Sequence, residues 1–439
     1  MLCVALAFWT CLLRGQNLSS TNVSSAARPA RVVPQRFEFK EGDRIVFLGD
    51  GWMGNEQKDG YIETMLTSRM GGKKVIFRNV AGSAEVVSGR SKASPDPLGK
   101  ELKRLKEPLQ AIKPTVVFLA YGMEESRNGE AGLERFKLGI KKLMDTITNI
   151  SSPAQVRFVI VTPPYYEAPP APLAEAAVHN AQLQLYAKAL RDIAEERSAH
   201  LVDLFETMRK DHSRRGAQNW TDDGLHPTPY GYWQIAGVFE WSLTLFPGVQ
   251  RMGIGRNNSI RHGGAGVTPE NVTRTETTIR LTGKDEFVFR PLEPKRSGVT
   301  NAPDGFMIQF YPMPPGKYTL KIDGEISAIY SGPQWMEAAV VRHGPLFDRS
   351  ETLRQAIIKK NELCSRRQDR TYILGFRKNK PGRNAEEIPK SDPVITAEEE
   401  KIFRLTELKT RQFELAPSQP GDEEKLNPRE EKPPNDRHS

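Results

Sequence analysis

Residues 45–54 read Ile-Val-Phe-Leu-Gly-Asp-Gly-Trp-Met-Gly, a short apolar run followed by Gly49-Asp50 and a stretch with helical character. This order predicts a buried parallel strand that ends in a tight turn and leads into a helix. A turn of this kind presents a nucleophile at the carboxyl end of a strand. Gly51, at the position where a serine nucleophile would be expected, has no side chain that could attack a substrate.

Short apolar runs alternate with amphipathic helical stretches between about residues 40 and 245. The predicted strands lie at 45–48, 74–80, 115–121, 156–162 and 200–204, and apolar residues recur at helical spacing over 102–112, 133–147 and 178–197. This alternation is typical of βαβ units around a parallel sheet. We therefore expect an α/β fold with helices on both faces of the sheet.

Far downstream the chain reads Asp223-Gly224-Leu225-His226-Pro227. An aspartate three residues before a histidine can hold the imidazole in one tautomer, so that the other ring nitrogen can act as a general base. This pair would complete an acyl-hydrolase site if the nucleophile were present.

Together the two stretches resemble the SGNH (GDSL) hydrolase superfamily, whose first block usually reads Gly-Asp-Ser and whose last reads Asp-x-x-His. The resemblance covers about residues 40–245. It implies a flavodoxin-like α/β/α sandwich with a parallel sheet and the hydrolysis of esters. The segments 353–362, 375–378 and 384–389 further resemble a C-terminal extension found on exported GDSL-type proteins of planctomycete-like bacteria.

The superfamily has four defining positions: a serine nucleophile, a glycine and an asparagine that stabilise the oxyanion, and a histidine base. The resemblance assigns these positions to Gly51, Ala84, Glu124 and His226, with Asp223 as the orienting partner of the histidine. Only the base and its partner match the pattern.

The changed residues differ in what they can still do. Ala84 keeps its backbone N–H as a donor. Its Cβ, however, disfavours loop conformations that glycine adopts at little energetic cost. Glu124 follows Gly122 and replaces an amide donor with a carboxylate that only accepts hydrogen bonds, so it would repel a developing oxyanion. Asp50 is expected to stabilise the turn, and Trp52 follows it on the predicted helix.

Three hypotheses about function remain open. The first is an ester hydrolase, acting on acylated carbohydrate or another small ester, that uses water activated by His226 or a nucleophile such as Ser83 or Ser126. The second is a non-catalytic module that binds carbohydrate through aromatic faces, for which the candidates are Trp52, Tyr165, Tyr166 and Trp220. These aromatic residues could equally well cover the loop core.

The third hypothesis is a divalent metal that activates water without a serine. Its candidate ligands are Asp50, Glu85, Glu124, Asp223 and His226. Crowded carboxylates in a degenerate pocket are commoner than a new metal site, so our prediction includes no metal and no cofactor.

The α/β domain is predicted to occupy residues 40–248. Beyond it we expect a linker at 249–272, a small β-rich module at 273–345, a helical extension at 346–415 and a disordered tail at 416–439. In the module, strands are predicted at 278–281, 286–290 and 306–311, followed by a hairpin within 316–330 that turns at Asp323-Gly324. A helix is predicted at 347–365.

Residues 1–15 read as a signal-peptide-like segment and residues 16–39 as a linker, which predicts export to the periplasm or the extracellular space. The apolar start is too short for a stable membrane span. The 63 basic residues are interspersed with 54 acidic ones, so the net charge of +9 indicates a solvated surface and no nucleic-acid partner. The expected partner is a small-molecule ester or a carbohydrate, and the oligomeric state stays open.

Overall fold

The computed structural model describes residues 36–82, 97–167, 173–214, 218–261, 265–294, 305–376 and 388–426. The predicted signal-peptide-like segment at 1–15 lies outside the described residues. The predicted linker at 16–39 is described only from Arg36 onward, and there it belongs to the domain. Phe37 and Phe39 are buried, and the Phe37 N–H donates to the Leu243 carbonyl at 3.0 Å. These two apolar side chains alternate with charged ones, which is why the segment packs.

The first domain is built from five strands and seven helices in the described part of the chain. In order they are β1 (Arg44–Gly49), α1 (Gly51–Asp59), α2 (Tyr61–Ser68), β2 (Ile76–Asn79), α3 (Pro97–Ile112), β3 (Val116–Ala120), α4 (Leu133–Ser151), β4 (Arg157–Val161), α5 (Leu173–Glu196), β5 (His200–Val202), α6 (Leu204–His212) and α7 (Pro229–Ser242). All five predicted strands are present. The parallel sheet has the order β2-β1-β3-β4-β5.

Both faces of the parallel sheet are buried. Alternate residues of β1 face opposite layers: Ile45 and Phe47 join the core formed with α1, α2 and α7, whereas Val46 and Leu48 join the core formed with α3, α4 and α5. Strands buried on both faces read as continuous apolar runs, which is the pattern found in the sequence. Phe47 pairs with Asn79 of β2 and with Phe118 of β3, so the three strands end at the same edge.

The second part of the chain forms two further sheets. Its elements are β6 (Arg251–Ile254), β7 (Ile260–Arg261), β8 (Val267–Arg274), β9 (Ile279–Asp285), β10 (Phe306–Phe310), β11 (Lys317–Ile322), β12 (Glu325–Ser331), α8 (Gly332–Glu337), β13 (Ala339–Val341), α9 (Pro345–Phe376), α10 (Ile388–Thr406), β14 (Thr410–Pro417) and α11 (Asp422–Leu426). The strand orders are β13-β10-β6-β7 and β12-β11-β14-β9-β8.

The prediction of a linker at 249–272 was wrong, because β6, β7 and most of β8 lie within it. Met252 and Ile254 are buried in the core of this module, while the glycines around them hide the alternating pattern. The strand predicted at 286–290 is not formed. Its apolar residues Val288 and Phe289 instead enter the core from an irregular segment.

The helical extension predicted at 346–415 contains α9 and α10 but ends in a strand, β14. This strand lies between β11 and β9 in the middle of its sheet, where Phe413 and Leu415 are buried. The disordered tail predicted from 416 is also corrected in part: β14 ends at Pro417 and α11 follows, whereas residues 427–439 lie outside the described residues. The surrounding polar residues concealed this short strand.

The extension packs directly on the α/β domain. Helix α9 contacts α1, α2 and β2, and α10 packs against α9. At the outer strand of the parallel sheet, Arg78 pairs with Glu399 and Lys74 pairs with Glu400 of α10. Within the described part of the chain, every helix is too short or too polar to cross a membrane.

Candidate active site

The turn after β1 requires glycine at its first position. Gly49 has φ +155°, and a Cβ there would lie 2.3 Å from the carbonyl oxygen of Ala120 at the end of β3. The next residue, Asp50, donates its N–H to the same carbonyl at 3.0 Å. Helix α1 then begins at Gly51. The turn therefore places Gly51 at the carboxyl edge of the sheet, at the amino end of a helix.

Asp50 joins this turn to the loop after β3. Its side chain is buried, and Oδ2 accepts the N–H of Met123 at 2.8 Å, while Oδ1 has no hydrogen-bond partner among the described residues. Burial raises the pKa of Asp50 well above its usual range, and the nearby carboxylates of Glu125 and Glu124 raise it further. Asp50 thus holds two loops together and has no access to a ligand.

The loop after β3 carries the position of the oxyanion asparagine. Gly122 has φ +117°, and its N–H donates to Oε2 of the buried Glu125 at 3.0 Å. Glu124 is partly exposed and lies 3.6 Å from the guanidinium of Arg127. The residue at this position is therefore a carboxylate with a cation beside it. It supplies no side-chain donor.

Ser126, an alternative nucleophile in the sequence analysis, is excluded by its surroundings. Its side chain is fully buried, and Oγ donates to the carbonyl oxygen of Met123 at 2.7 Å. Ser83 was the other alternative, and it lies outside the described residues together with Ala84 and Glu85.

The segment that leads to Ala84 is described as far as Gly82. The Asn79 side chain donates to the carbonyl oxygen of Met53 at 2.8 Å, and its oxygen accepts the N–H of Ala81 at 3.0 Å. Gly82 donates its N–H to the carbonyl oxygen of Gly49 at 3.3 Å. These bonds hold the start of the second block against the turn that bears Gly51.

Asp223 and His226 form a hydrogen-bonded pair. Asp223 Oδ2 lies 2.6 Å from His226 Nδ1, and Asp223 Oδ1 accepts the N–H groups of Leu225 and His226 at 2.9 and 2.8 Å. Partial burial opposes ionisation of Asp223, but the bonds from His226 and Leu225 outweigh it and lower the pKa of Asp223 to about 2. The ionised carboxylate therefore orients the imidazole.

The pair lies at the same edge of the sheet as Gly51. His226 precedes α7, and the hydroxyl of Tyr232 in the first turns of α7 donates to the carbonyl oxygen of Trp52 at 2.6 Å. Thr228 caps α7 by accepting the N–H of Gly231 at 3.0 Å. The side chains of Asp223 and His226 are 53% and 59% exposed, so a ligand can reach the imidazole.

Two of the four aromatic residues proposed to stack on sugar rings cannot do so. Trp52 and Trp220 are buried, at 1% and 4% exposure, because each side chain turns into the domain core. Tyr165 is half-buried against Phe205, at 5.7 Å between ring centroids. Tyr166 packs on His179 at 4.9 Å. The aromatic residues cover the core beneath the loops.

The metal hypothesis gains no ligand set. In the ranges that the structure describes, no group of three or more His, Cys, Asp or Glu side chains could hold a metal ion. Of the candidate ligands, Asp50 is buried and Asp223 is bonded to His226, while Glu85 is not described.

Sequence reasoning missed the residues that support the His226 loop. Glu167, after β4, is buried and accepts the backbone N–H groups of Trp220 and Thr221. Asn180 binds both backbone polar groups of Tyr166. In the sequence, Glu167 is recognisable only as a glutamate that follows a predicted strand. The sequence did not show which loop Glu167 would contact.

Residues 42–234 match the model of the GDSL-like lipase/acylhydrolase family. The fold of a gut microbial diltiazem-metabolizing enzyme is similar, with a TM-score of 0.65 at 17% identity, covering 88% of this chain and 100% of that enzyme. That coverage extends beyond the α/β domain, so the similarity of fold includes the C-terminal parts. A comparison with curated proteins found no match.

Smaller hydrolases cover about half of this chain. A catalytic mutant of an acetylxylan esterase from Geobacillus stearothermophilus is 18% identical and covers 47% of this chain and 96% of its own, with a TM-score of 0.35. An alpha/beta hydrolase from the metagenome of Lake Arreo is 20% identical and covers 47% of this chain and 97% of its own, also with a TM-score of 0.35. Scores this low add nothing to the family match. Residues 42–234 thus form a domain that matches the GDSL-like lipase/acylhydrolase family.

Proposed function

We propose that the α/β domain binds a small ester or an acylated carbohydrate at the carboxyl edge of its sheet and does not cleave it by serine-type acyl transfer. The observation that carries this proposal is Gly51. It is the first residue of α1, directly after the glycine-dependent turn at the end of β1. The backbone of a nucleophile turn is present, but the residue at its tip has no nucleophile.

The oxyanion position supports the same conclusion. A developing oxyanion is stabilised by hydrogen-bond donors aimed at it. Glu124 offers a carboxylate at this position, and the nearby Arg127 is 3.6 Å from that carboxylate. Loss of a serine nucleophile alone lowers turnover by a factor on the order of 10⁶ in a serine protease. Two changes at one site therefore argue against serine-type turnover of any useful rate.

A second candidate function is hydrolysis by water that His226 activates. The observation in its favour is the intact pair, in which Asp223 Oδ2 lies 2.6 Å from His226 Nδ1. This contact leaves Nε2 of an exposed imidazole to take a proton from water. The water would attack the ester carbonyl directly, without an acyl-enzyme intermediate.

One set of variants separates the two candidates. The purified protein is tested on a panel of aryl acetates and acetylated sugars, with turnover measured by acetate release and binding measured by calorimetry. The variants are His226→Ala, Gly51→Ser, and a double variant that combines Gly51→Ser with Glu124→Asn. His343→Ala, at an exposed histidine of the β-rich module, serves as the control.

The proposal predicts binding of at least one ester by the native protein, no turnover above the His226→Ala background, and turnover gained in the double variant. Native turnover that His226→Ala abolishes and His343→Ala leaves intact would establish the second candidate instead. Absence of both binding in the native protein and turnover in the double variant would refute an ester site on this fold.

A further inference from the structure

The loop that carries Asp223 and His226 is closed at its base by short contacts. Thr221 and Pro227 form an antiparallel bridge. The carbonyl oxygen of Trp220 accepts two hydrogen bonds from Thr228, one from the backbone N–H at 2.9 Å and one from the side-chain hydroxyl at 3.2 Å. The two strands of the loop base therefore lie side by side, just before α7 begins.

One buried carboxylate accepts hydrogen bonds from the first strand of this loop base. Glu167 Oε2 accepts three hydrogen bonds, each 2.8 Å long, from the N–H of Trp220 and from the N–H and hydroxyl of Thr221. The Glu167 side chain is 2% exposed. Bonds to an ionised acceptor are about twice as strong as those between neutral groups. The position of Thr221 thus depends on a residue far away in sequence.

The middle of the loop, at Gly224, packs against the segment that contains Tyr166 and Glu167. Gly224 has φ +86°, and a Cβ there would lie 2.6 Å from the ring of Tyr166 and 2.7 Å from the carbonyl oxygen of Glu167. The backbone of Tyr166 is in turn fixed by the side-chain amide of Asn180. This amide accepts the N–H of Tyr166 and donates to the carbonyl oxygen of Tyr166, at 2.9 Å each. The Tyr166-Glu167 segment is therefore a fixed platform under the loop.

We infer that Glu167 is a positioning residue for the Asp223–His226 pair. It touches neither side chain of the pair. Glu167 binds the base of the loop that carries the pair. Its own backbone also packs against Gly224, which lies between Asp223 and His226 in the sequence. The inference rests on the proposed function only in taking His226 as the site residue, and its test needs neither a ligand nor turnover.

The test compares three variants by nuclear magnetic resonance. Glu167→Ala leaves three donors without their acceptor, two of them backbone N–H groups. Glu167→Gln keeps the size of the side chain and one oxygen that can accept, and is the conservative rescue. His212→Ala is the matched control, since His212 approaches only the other oxygen of Glu167, at 3.9 Å.

Two signals report on the pair itself: hydrogen exchange of the Leu225 and His226 amides, which donate to Asp223 Oδ1, and the resonance of the imidazole Nδ1–H. In Glu167→Ala we expect exchange of these amides to be at least about tenfold faster, with broadening or loss of the Nδ1–H signal. In Glu167→Gln and His212→Ala both signals should stay close to native.

Native-like signals in a folded Glu167→Ala protein would overturn the inference. If Glu167→Ala does not fold, Thr221→Val decides, because it removes one of the three donors and keeps the branched shape. A faster His226 amide in Thr221→Val, with amides of the parallel sheet unchanged, supports the inference. Unchanged exchange at His226 in that variant refutes it.

Discussion

Lys360 of α9 and Glu63 of α2 form an ion pair 2.5 Å long in which both side chains are almost fully buried. Asn361 donates to the other oxygen of Glu63 at 3.1 Å. The N–H of Ile62, one residue before Glu63, donates to Glu56 of α1 at 2.6 Å. The C-terminal extension is thereby bonded to the helix pair that begins at Gly51, and we regard it as part of the same folding unit.

Replacement of Lys360 by methionine should destabilise the whole protein. It leaves the Glu63 carboxylate buried without its cation, and removing one partner of a buried pair costs about 3–5 kcal/mol. We expect the free energy of unfolding, measured by urea denaturation, to fall by that amount. The α/β domain and the extension should lose structure in the same transition.

An exposed ion pair between the α/β domain and the extension gives a matched control. Lys74 pairs with Glu400 of α10 at 3.1 Å, and both side chains are about half exposed. Exposed pairs contribute about 0–1 kcal/mol, so Lys74→Met should change the free energy of unfolding by no more than that. Equal effects of the two substitutions would contradict the role given to burial.

A second buried carboxylate, Asp285, connects the extension to the β-rich module. It lies 3.0 Å from Arg349 of α9 and 3.2 Å from Arg411 of β14, and all three side chains are at least nine-tenths buried. Burial raises the pKa of Asp285 even though both guanidinium groups act to lower it. Asp285→Ala should therefore lower the free energy of unfolding by about 3–5 kcal/mol, since it leaves the buried Arg349 without its carboxylate and Arg411 with Asp323 as its remaining one.

Asp323→Ala is the comparison for Asp285→Ala. Asp323 also binds Arg411, at 2.8 Å, but its side chain is 34% exposed and Arg411 keeps Asp285. We expect a clearly smaller loss in the same chemical denaturation experiment. A loss as large as that of Asp285→Ala would show that the module is held by Arg411 rather than by the central carboxylate.

Two glycines of α7 should respond in opposite ways to alanine. A Cβ at Gly231 would lie 1.9 Å from the carbonyl oxygen of Trp220, which closes the base of the His226 loop. A Cβ at Gly237 would meet only the end of the Arg290 side chain, at 3.4 Å. Overpacking typically costs about 1–3 kcal/mol, whereas glycine inside a helix is about 0.5–1 kcal/mol less stable than alanine.

Thermal unfolding of the two variants checks this contrast. Gly231→Ala should lower the Tm, and Gly237→Ala should leave it unchanged or raise it. The expectation fails if Gly231→Ala is as stable as the native protein, because the loop base would then be free to move away from the helix.

The parts of the fold that were predictable depend on local patterns. β3 is a continuous buried run, Val116–Ala120, whose apolar character is visible without its partners. β14 could not be recognised in this way, because Phe413 is buried by pairing with Leu281, in a strand far earlier in the chain. The segment that contains β6 was predicted as a linker for a similar reason, since β6 pairs with the distant β10 on one side and with β7, only two residues long, on the other.

The same division holds for the site. Asp223 and His226 are three residues apart, so their contact follows from the local sequence. The contact of Glu167 with Thr221 joins two separate loops and carries no local signal. Trp52 was a candidate for either a ligand contact or the core, because a motif places a residue beside the site without telling which way its side chain points. On α1 that direction is into the core.

The Asp223–His226 pair should make the stability of the fold depend on pH at the acid end. Asp223 has a pKa of about 2 in the folded protein, against 3.8 for the free side chain. Because the folded-state pKa is the lower one, ionised Asp223 stabilises the fold above about pH 4, and this contribution is lost as the pH falls through about 2. Both side chains are more than half exposed, so the effect on total stability is small and is best followed at the carboxylate itself.

A carbon-detected resonance titration of Asp223 measures that pKa directly. In His226→Ala the bond from the imidazole is gone while the bonds from two backbone N–H groups remain, so we expect the midpoint to rise from about 2 toward 3.8 without reaching it. His343→Ala should leave the midpoint unchanged. A native midpoint near 3.8 would mean that the carboxylate does not hold the imidazole, and the base of the site would then lack its orienting partner.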